Sequence, residues 1–172
     1  MAGKNDDDDI AFTLERWFDA PRELVWKVYT EAEHLAHWWG PPNFEWIKGS
    51  LDLKPGGVFH YGMRGPNGMV MWGKFVYREI AAPERLVFVN AFSDEHGGTT
   101  PNPWMPDWPL EILNTVTFAQ ENGRTLISMR GVPVNATEAQ RQMFKGAKPQ
   151  MQAGFKGTLD KLAAYLARQQ GK

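Results

Sequence analysis

Apolar and polar residues alternate loosely from Ile10 to Phe18, with Ile10, Phe12 and Leu14 set against Ala11, Thr13 and Glu15. The pattern predicts a first strand that ends at Asp19-Ala20-Pro21. Pro21 suits the first turn of a helix, and Leu24, Val25 and Val28 then recur at helical spacing between Arg22 and Thr30. Thr30-Glu31-Ala32-Glu33 offers a capping box for a second short helix, which carries His34-Leu35-Ala36-His37-Trp38-Trp39 and stops at Gly40-Pro41.

The next ninety residues repeat a strand-and-turn pattern. Strands are expected at 44–53, 58–64, 69–80 and 85–92, broken by Pro55-Gly56-Gly57, Gly65-Pro66-Asn67-Gly68 and Ala81-Ala82-Pro83. Two more, at 110–120 and 124–130, flank Glu121-Asn122-Gly123, the strongest hairpin signal in the chain. Between Ser93 and Pro109 lies a long segment with four prolines and the pair Trp104 and Trp108, too long for an ordinary connection unless it does something. It either covers a pocket mouth as a lid or pins itself to the surface. At the C-terminus, Thr137 and Gln140 have capping-box spacing and Pro149 breaks or restarts the helix. Met151, Phe155, Leu159, Leu162 and Leu166 then form one apolar stripe.

A strand, two short helices, six antiparallel strands and a long terminal helix make an α+β pattern. The simplest packing wraps a strongly curved seven-stranded antiparallel sheet around the last helix and leaves a cavity between them. Gly154 and Gly157 fit close approach there, because glycine costs about 1 kcal/mol in a helix interior and needs a reason.

With 172 residues the chain is expected to be one domain over 10–172, preceded by a solvated, disordered acidic tail over 1–9 that holds Asp6 to Asp9. The net charge of −1 and the lack of a basic stripe argue against nucleic acid. There is no cysteine, so disulfides, thiolate zinc sites and cysteine nucleophiles are excluded. No apolar run approaches membrane-spanning length and no signal-peptide pattern opens the chain, which reads as cytoplasmic. Aromatic residues reach 13%, with eight Trp, and that excess has to be housed.

Five motifs then occur in order: Phe18-Asp19-Ala20-Pro21-Arg22-Glu23-Leu24-Val25-Trp26, Trp38-Trp39-Gly40-Pro41, Asp52-Leu53-Lys54-Pro55-Gly56-Gly57, Gly73-Lys74-Phe75 with Glu79-Ile80, and Pro83-Glu84-Arg85-Leu86. Together they resemble the SRPBCC (START/Bet v 1-like) superfamily, and within it the homologues of the C-terminal domain of the Hsp-90 ATPase activator. The resemblance runs from about Phe12 to Leu166. It implies a helix-grip fold with an internal pocket and no single activity, since binders, cyclases, hydrolases and chaperone partners share it. Where the family usually has Gly-Trp in the last helix this chain has Gly154-Phe155, a smaller ring that alters cavity volume.

The polar chemistry is sparse. His34 and His37 share a helix face but lack a third ligand of recognisable spacing, so no metal is assigned. Ser93, Asp94 and His96 sit too close in one loop to orient each other as a triad, and Gly56-Gly57 is a turn rather than a phosphate loop. No catalytic residue and no cofactor are assigned. Aromatics carry the better signal: Phe59, Tyr61 and Met63 share one strand face, as do Leu86, Phe88, Asn90 and Phe92. If both sets point inward, they line a concave surface suited to a flat apolar ligand, with Asn90 or Tyr61 to orient it. Trp72 and Phe75 cannot share a face, and Trp72 is taken as the pocket residue. The expected site is Trp39, Phe59, Tyr61, Met63, Trp72, Phe88, Asn90, Phe92, Trp108, Met151 and Phe155. Adjacent helical residues point about 100° apart, so Trp38 and Trp39 have different roles. Trp39 is expected at the pocket rim, and Trp38 against the preceding helix.

Three functions compete. The first is binding of a small hydrophobic or aromatic ligand, by a monomer or homodimer. The second is a chaperone partner resembling the Hsp-90 ATPase activator, although that family also uses a separate N-terminal domain. The third is a cyclase or hydrolase acting on an apolar carbonyl compound, which needs an acid or base in the cavity.

Overall fold

The computed structural model describes residues 6–172. After a short helix α1 (Asp6–Ile10) comes strand β1 (Phe12–Phe18), then helices α2 (Arg22–Thr30) and α3 (Ala32–Trp38). Six strands follow: β2 (Glu45–Leu51), β3 (Val58–Arg64), β4 (Val70–Ala81), β5 (Arg85–Ser93), β6 (Glu111–Glu121) and β7 (Arg124–Val134). Helix α4 (Glu138–Gly146) and the long α5 (Lys148–Gln169) complete the chain. None of the described helices is long and apolar enough to cross a membrane.

All seven strands form one antiparallel sheet in the order β1-β7-β6-β5-β4-β3-β2. The meander from β2 to β7 is the order that the turn signals imply. β1 pairs with β7 at the far edge, so α2 and α3 carry the chain from one edge of the sheet to the other. This is the curved α+β helix-grip arrangement, with α5 against the concave face.

Alternation decides which side chains reach that face. Phe59 pairs with Phe75, and Phe75 with Asn90, so the inner row crosses three strands. Phe59, Phe75, Tyr77, Leu86, Phe88, Val116, Phe118 and Ile127 are all buried with Leu159, Leu162 and Leu166 of α5. Phe75 and Phe88 stack at 4.2 Å, and burying each such ring contributes about 2 kcal/mol. A second cluster, Ile10, Phe12, Ile112 and Phe144, lies at the α1/α4 end.

Two local expectations change, and one holds. The Thr30–Glu33 capping box does not form: Thr30 Oγ1 donates back to the Trp26 carbonyl at 2.7 Å, and Glu31 takes the cap position without a side-chain bond. The Thr137–Gln140 box does form, with both reciprocal bonds at 3.0 and 3.1 Å, and Pro149 falls in the first turn of α5, where its missing N–H costs nothing. The second change concerns the acidic tail. Residues 1–5 of that stretch lie outside the described residues, but Asp6 to Asp9 belong to α1 rather than to a disordered segment. Asp7 pairs with Arg141 at 2.9 Å, Asp8 with Arg130 at 2.8 Å and Asp9 with Lys145 at 2.5 Å. These cations lie more than 120 positions along the chain, and only the fold brings them to the acids.

Candidate functional site

The gap between the sheet and α5 is not filled. One cavity of about 340 Å³ is walled by Trp39, Gly40 and Pro41 after α3, by Tyr61, Met63, Met71 and Phe92 of the sheet, and by Met151, Gly154, Phe155 and Thr158 of α5. A second, of about 260 Å³, lies toward α4 and is walled by Phe12, Asn90, Phe92, Trp108, Asn114 and Phe144 among others. Phe92, Met151 and Phe155 form the partition between the two. A wider surface recess of about 940 Å³, lined by Trp104, Met105, Trp108, Met143 and Met151, adjoins both at the α4–α5 junction.

The rim on the α3 side is built by a forced chain reversal. Gly40 has φ +103°, a left-handed conformation, and a Cβ there would collide with the Met63 sulfur. Its carbonyl accepts hydrogen bonds from Thr158 Oγ1 at 3.1 Å and Lys161 Nζ at 3.0 Å, which tie the rim to α5. The two adjacent tryptophans part company at this point. Trp38 is fully buried, and its Nε1–H donates at 3.0 Å to the Val28 carbonyl, an otherwise unpartnered group at the end of α2. Trp39 caps α3, lines the cavity, and meets Trp38, Tyr61 and Phe75 edge-on at 5.7, 6.1 and 5.1 Å. Its indole N–H is buried and has no hydrogen-bond partner.

Polar groups in the walls are few and neutral. Burial pushes the Tyr61 phenol up to about 12, and the Trp39 indole beside it offsets part of that rise. Its hydroxyl lies over Gly73, at the place a side chain would otherwise take. In the second cavity Asn114 Nδ2 donates to Asn90 Oδ1 at 2.6 Å and to the Ile112 carbonyl at 3.1 Å, leaving amide capacity on both residues. Among the described residues no carboxylate, imidazole or amine lines any of these three spaces.

Eight of the expected site residues come together here: Trp39, Tyr61, Met63, Asn90, Phe92, Trp108, Met151 and Phe155. Three do not. Phe59 and Phe88 are packed solid beneath the cavity floor, each against Phe75. Trp72 is on the opposite face, its ring stacked on His60 at 5.2 Å and lying over Gly62, and it touches only a small recess of about 80 Å³ between β4 and β5. Phe75 takes the inward position instead. Met71 and Asn114 were missed, although both were readable. Met71 follows from Phe75 by strand alternation, and Asn114 interrupts the apolar row Ile112, Val116, Phe118. The 93–109 segment does line the site: Trp108 packs on Phe144 of α4 at 5.5 Å, while the exposed Trp104 meets Phe92 edge-on at 6.1 Å.

The histidines are dispersed. His34 Nδ1 is 2.6 Å from the Tyr165 hydroxyl, and His37 stacks on the same ring at 5.1 Å. Ligand atoms of Glu31, Glu33 and His34 lie within 4.8 Å of one another near the start of α3, away from the cavity walls. Asp94 Oδ1 accepts the backbone N–H groups of His96 and Gly98 at 2.8 and 2.9 Å, so Asp94 closes a loop and is no part of a triad with Ser93.

Residues 19–167 match the family model described as Activator of Hsp90 ATPase homolog 1-like protein. No curated protein matches. Among solved structures, protein Ms6760 from Mycobacterium smegmatis is 28% identical, with 94% of this chain and 93% of that one aligned at a TM-score of 0.72. A protein from Arthrobacter aurescens is 27% identical over 96% and 90% of the two chains, with a TM-score of 0.76. Protein NE0264 from Nitrosomonas europaea shares the fold at 21% identity, with coverage of 96% and 99% and a TM-score of 0.77.

Proposed function

The chain belongs to the Activator of Hsp90 ATPase homolog 1-like family, and from that premise we propose that it binds a small hydrophobic or aromatic ligand between the sheet and α5. The observation that carries this reading is an almost wholly apolar, open-mouthed cavity of about 340 Å³ beside the packed core. A dry cavity of roughly 150 Å³ already accepts benzene, so this one has room for a ligand of two fused rings or a comparable chain. Burying about 200 Å² of such a ligand supplies about 5 kcal/mol at 25 cal/mol per Å² before association costs. Tyr61 is the wall residue that orients it, while the Asn90–Asn114 pair faces the second cavity. The walls offer amides, hydroxyls and one phenol, which suits binding better than the acid-base work of a cyclase or hydrolase.

Native mass spectrometry of gently purified protein is expected to show a bound apolar molecule, and an apolar-compound screen should quench or shift tryptophan emission. Failure of every compound to bind, together with bare protein in the spectrometer, would sink the proposal. The family description also favours a second reading, association with a chaperone. A pull-down with a purified Hsp90-type chaperone tests it, and no retained complex removes it.

A further inference from the structure

The second cavity holds polar groups that packing leaves incomplete. Asn90 and Asn114 are diagonal neighbours on β5 and β6, in rows otherwise made of Leu86, Phe88 and Phe92 and of Ile112, Val116 and Phe118. Backbone partners fix which way each amide is turned. The Ile112 carbonyl can only accept, so the Asn114 atom 3.1 Å from it is the nitrogen, and that nitrogen also donates to the Asn90 oxygen at 2.6 Å. What stays unbonded is a donor, Asn90 Nδ2, and an acceptor, Asn114 Oδ1. Asn102 adds a second donor, because its oxygen takes the Trp104 and Met105 N–H groups at 2.8 and 3.1 Å and leaves its Nδ2 free. The Asn114 oxygen lies over Gly131, 3.1 Å from where a Cβ would stand, and Gly131 is itself part of the cavity wall. Among the described residues the sealed, partnerless side-chain atoms are Arg22 Nε and Trp39 Nε1. The free asparagine ends therefore meet open space, and the second cavity is the space that all three residues border. A half-satisfied amide pair in an apolar wall is destabilising until something completes it.

We propose that the second cavity is the head-group subsite of the ligand site, and that it selects an apolar body carrying one uncharged group that both accepts and donates, a carboxamide, lactam or urea. This rests on the binding reading above and adds the chemistry of the ligand's polar end to it. The carbonyl of the head accepts from Asn90 Nδ2, with Asn102 as a further donor, and its N–H donates to Asn114 Oδ1. The body stays in the first cavity. Asn90 stands two positions from Phe92 on the same face of β5, about 7 Å along the strand, and Phe92 is a wall of both cavities. A two-ring body with one short substituent covers that step. Met151, unbranched and flexible, is the member of the partition that gives way. Among the described residues no charged side chain lines either cavity, so a carboxylate head would lose its hydration without a cation to compensate.

The test uses four probes of one shape, 2-isopropenylnaphthalene, 2-acetylnaphthalene, 2-naphthamide and 2-naphthoate, titrated against the full chain by tryptophan fluorescence and calorimetry. The step from alkene to ketone reads the donor, and the step from ketone to amide reads the acceptor. Asn90→Leu should shift the ketone-to-alkene affinity ratio toward the alkene by roughly tenfold, the worth of one neutral hydrogen bond. Asn114→Leu should shift the amide-to-ketone ratio toward the ketone by a similar factor and move the other ratio less. Wild type should bind the carboxylate weakest. Each ratio is measured within one variant, so a general loosening of the fold moves all affinities together and cannot imitate the effect. In wild type, intermolecular NOEs from bound 2-naphthamide to the Asn90 side-chain N–H groups are expected, and this measurement decides if a variant does not fold. Ratios that neither substitution moves, tightest binding of naphthoate, or NOEs confined to the first cavity would overturn the head-group subsite while the binding reading stood. Binding of none of the four would remove this proposal, and only the failure of the wider compound screen would remove the cavity reading as well.

Discussion

Replacing each of the adjacent tryptophans by alanine separates stability from binding. Trp38 has no exposed surface, packs at 5.0 Å on Tyr29, and gives its N–H to the Val28 carbonyl at the C-terminal end of α2. Trp38→Ala therefore removes a large buried ring, at about 3–5 kcal/mol, and strips a helix-end carbonyl of its partner, at about 1 kcal/mol. In a domain of this size about 4 kcal/mol lowers Tm by roughly 10 °C. Trp39 is only partly buried, borders a cavity on one side, and carries an N–H that satisfies nothing. Its removal enlarges a space that already exists and deletes an unpaired donor, so Trp39→Ala should cost less than half of that Tm loss. The same change takes away a wall, and affinity for 2-acetylnaphthalene should fall by about tenfold or more. Circular-dichroism melting and fluorescence titration of the two variants read both effects. Equal losses of Tm, or unchanged affinity in Trp39→Ala, would show that both rings are core filler and that the cavity rim is misassigned.

Three further outcomes follow from particular contacts. Gly154 has open space where a Cβ would stand, whereas a Cβ on Gly157 would press on Pro42 at 2.9 Å. Gly154→Ala should then stabilise by about 1 kcal/mol in a denaturant melt through helix propensity, and Gly157→Ala should gain less or destabilise. The ion pairs of α1 are largely exposed, so Asp7→Asn with Asp8→Asn should lower Tm by a few degrees at low ionic strength and by almost nothing in 1 M NaCl. The Gly98 and His96 N–H groups hold the Asp94 carboxyl below its ordinary value. A depressed carboxylate contributes fully above the unfolded value near 3.9, and that contribution is lost as pH falls through the lower folded value. The Gly98 amide resonance should accordingly stay fixed from pH 7 to about 4 and move only below; a midpoint above 4 would contradict the loop geometry.

Local pattern in the sequence was enough for most element boundaries. The expected 58–64 strand is β3, the Arg22–Thr30 helix is α2, and the hairpin at Asn122-Gly123 joins β6 to β7. These depend on periodicity and turn chemistry within a few residues, and the ordered motifs from Phe18 to Leu86 carried the family. Pattern also showed that Trp72 and Phe75 oppose each other, because side chains alternate along any strand. It could not show which one faces α5, since alternation gives relative faces and only the curvature of the whole sheet makes one of them concave. The same limit explains Phe59 and Phe88, which share their rows with Tyr61 and Phe92 yet sit in solid core, while their neighbours border empty space. How far α5 reaches along the sheet decides where packing stops, and no strand's own residues encode that distance. The acids of α1, the pairing of β1 with β7 and the edge-on contact of Trp39 with Tyr61 belong to the tertiary structure for one reason: each joins groups tens to more than a hundred residues apart, whose meeting is a property of the assembled fold.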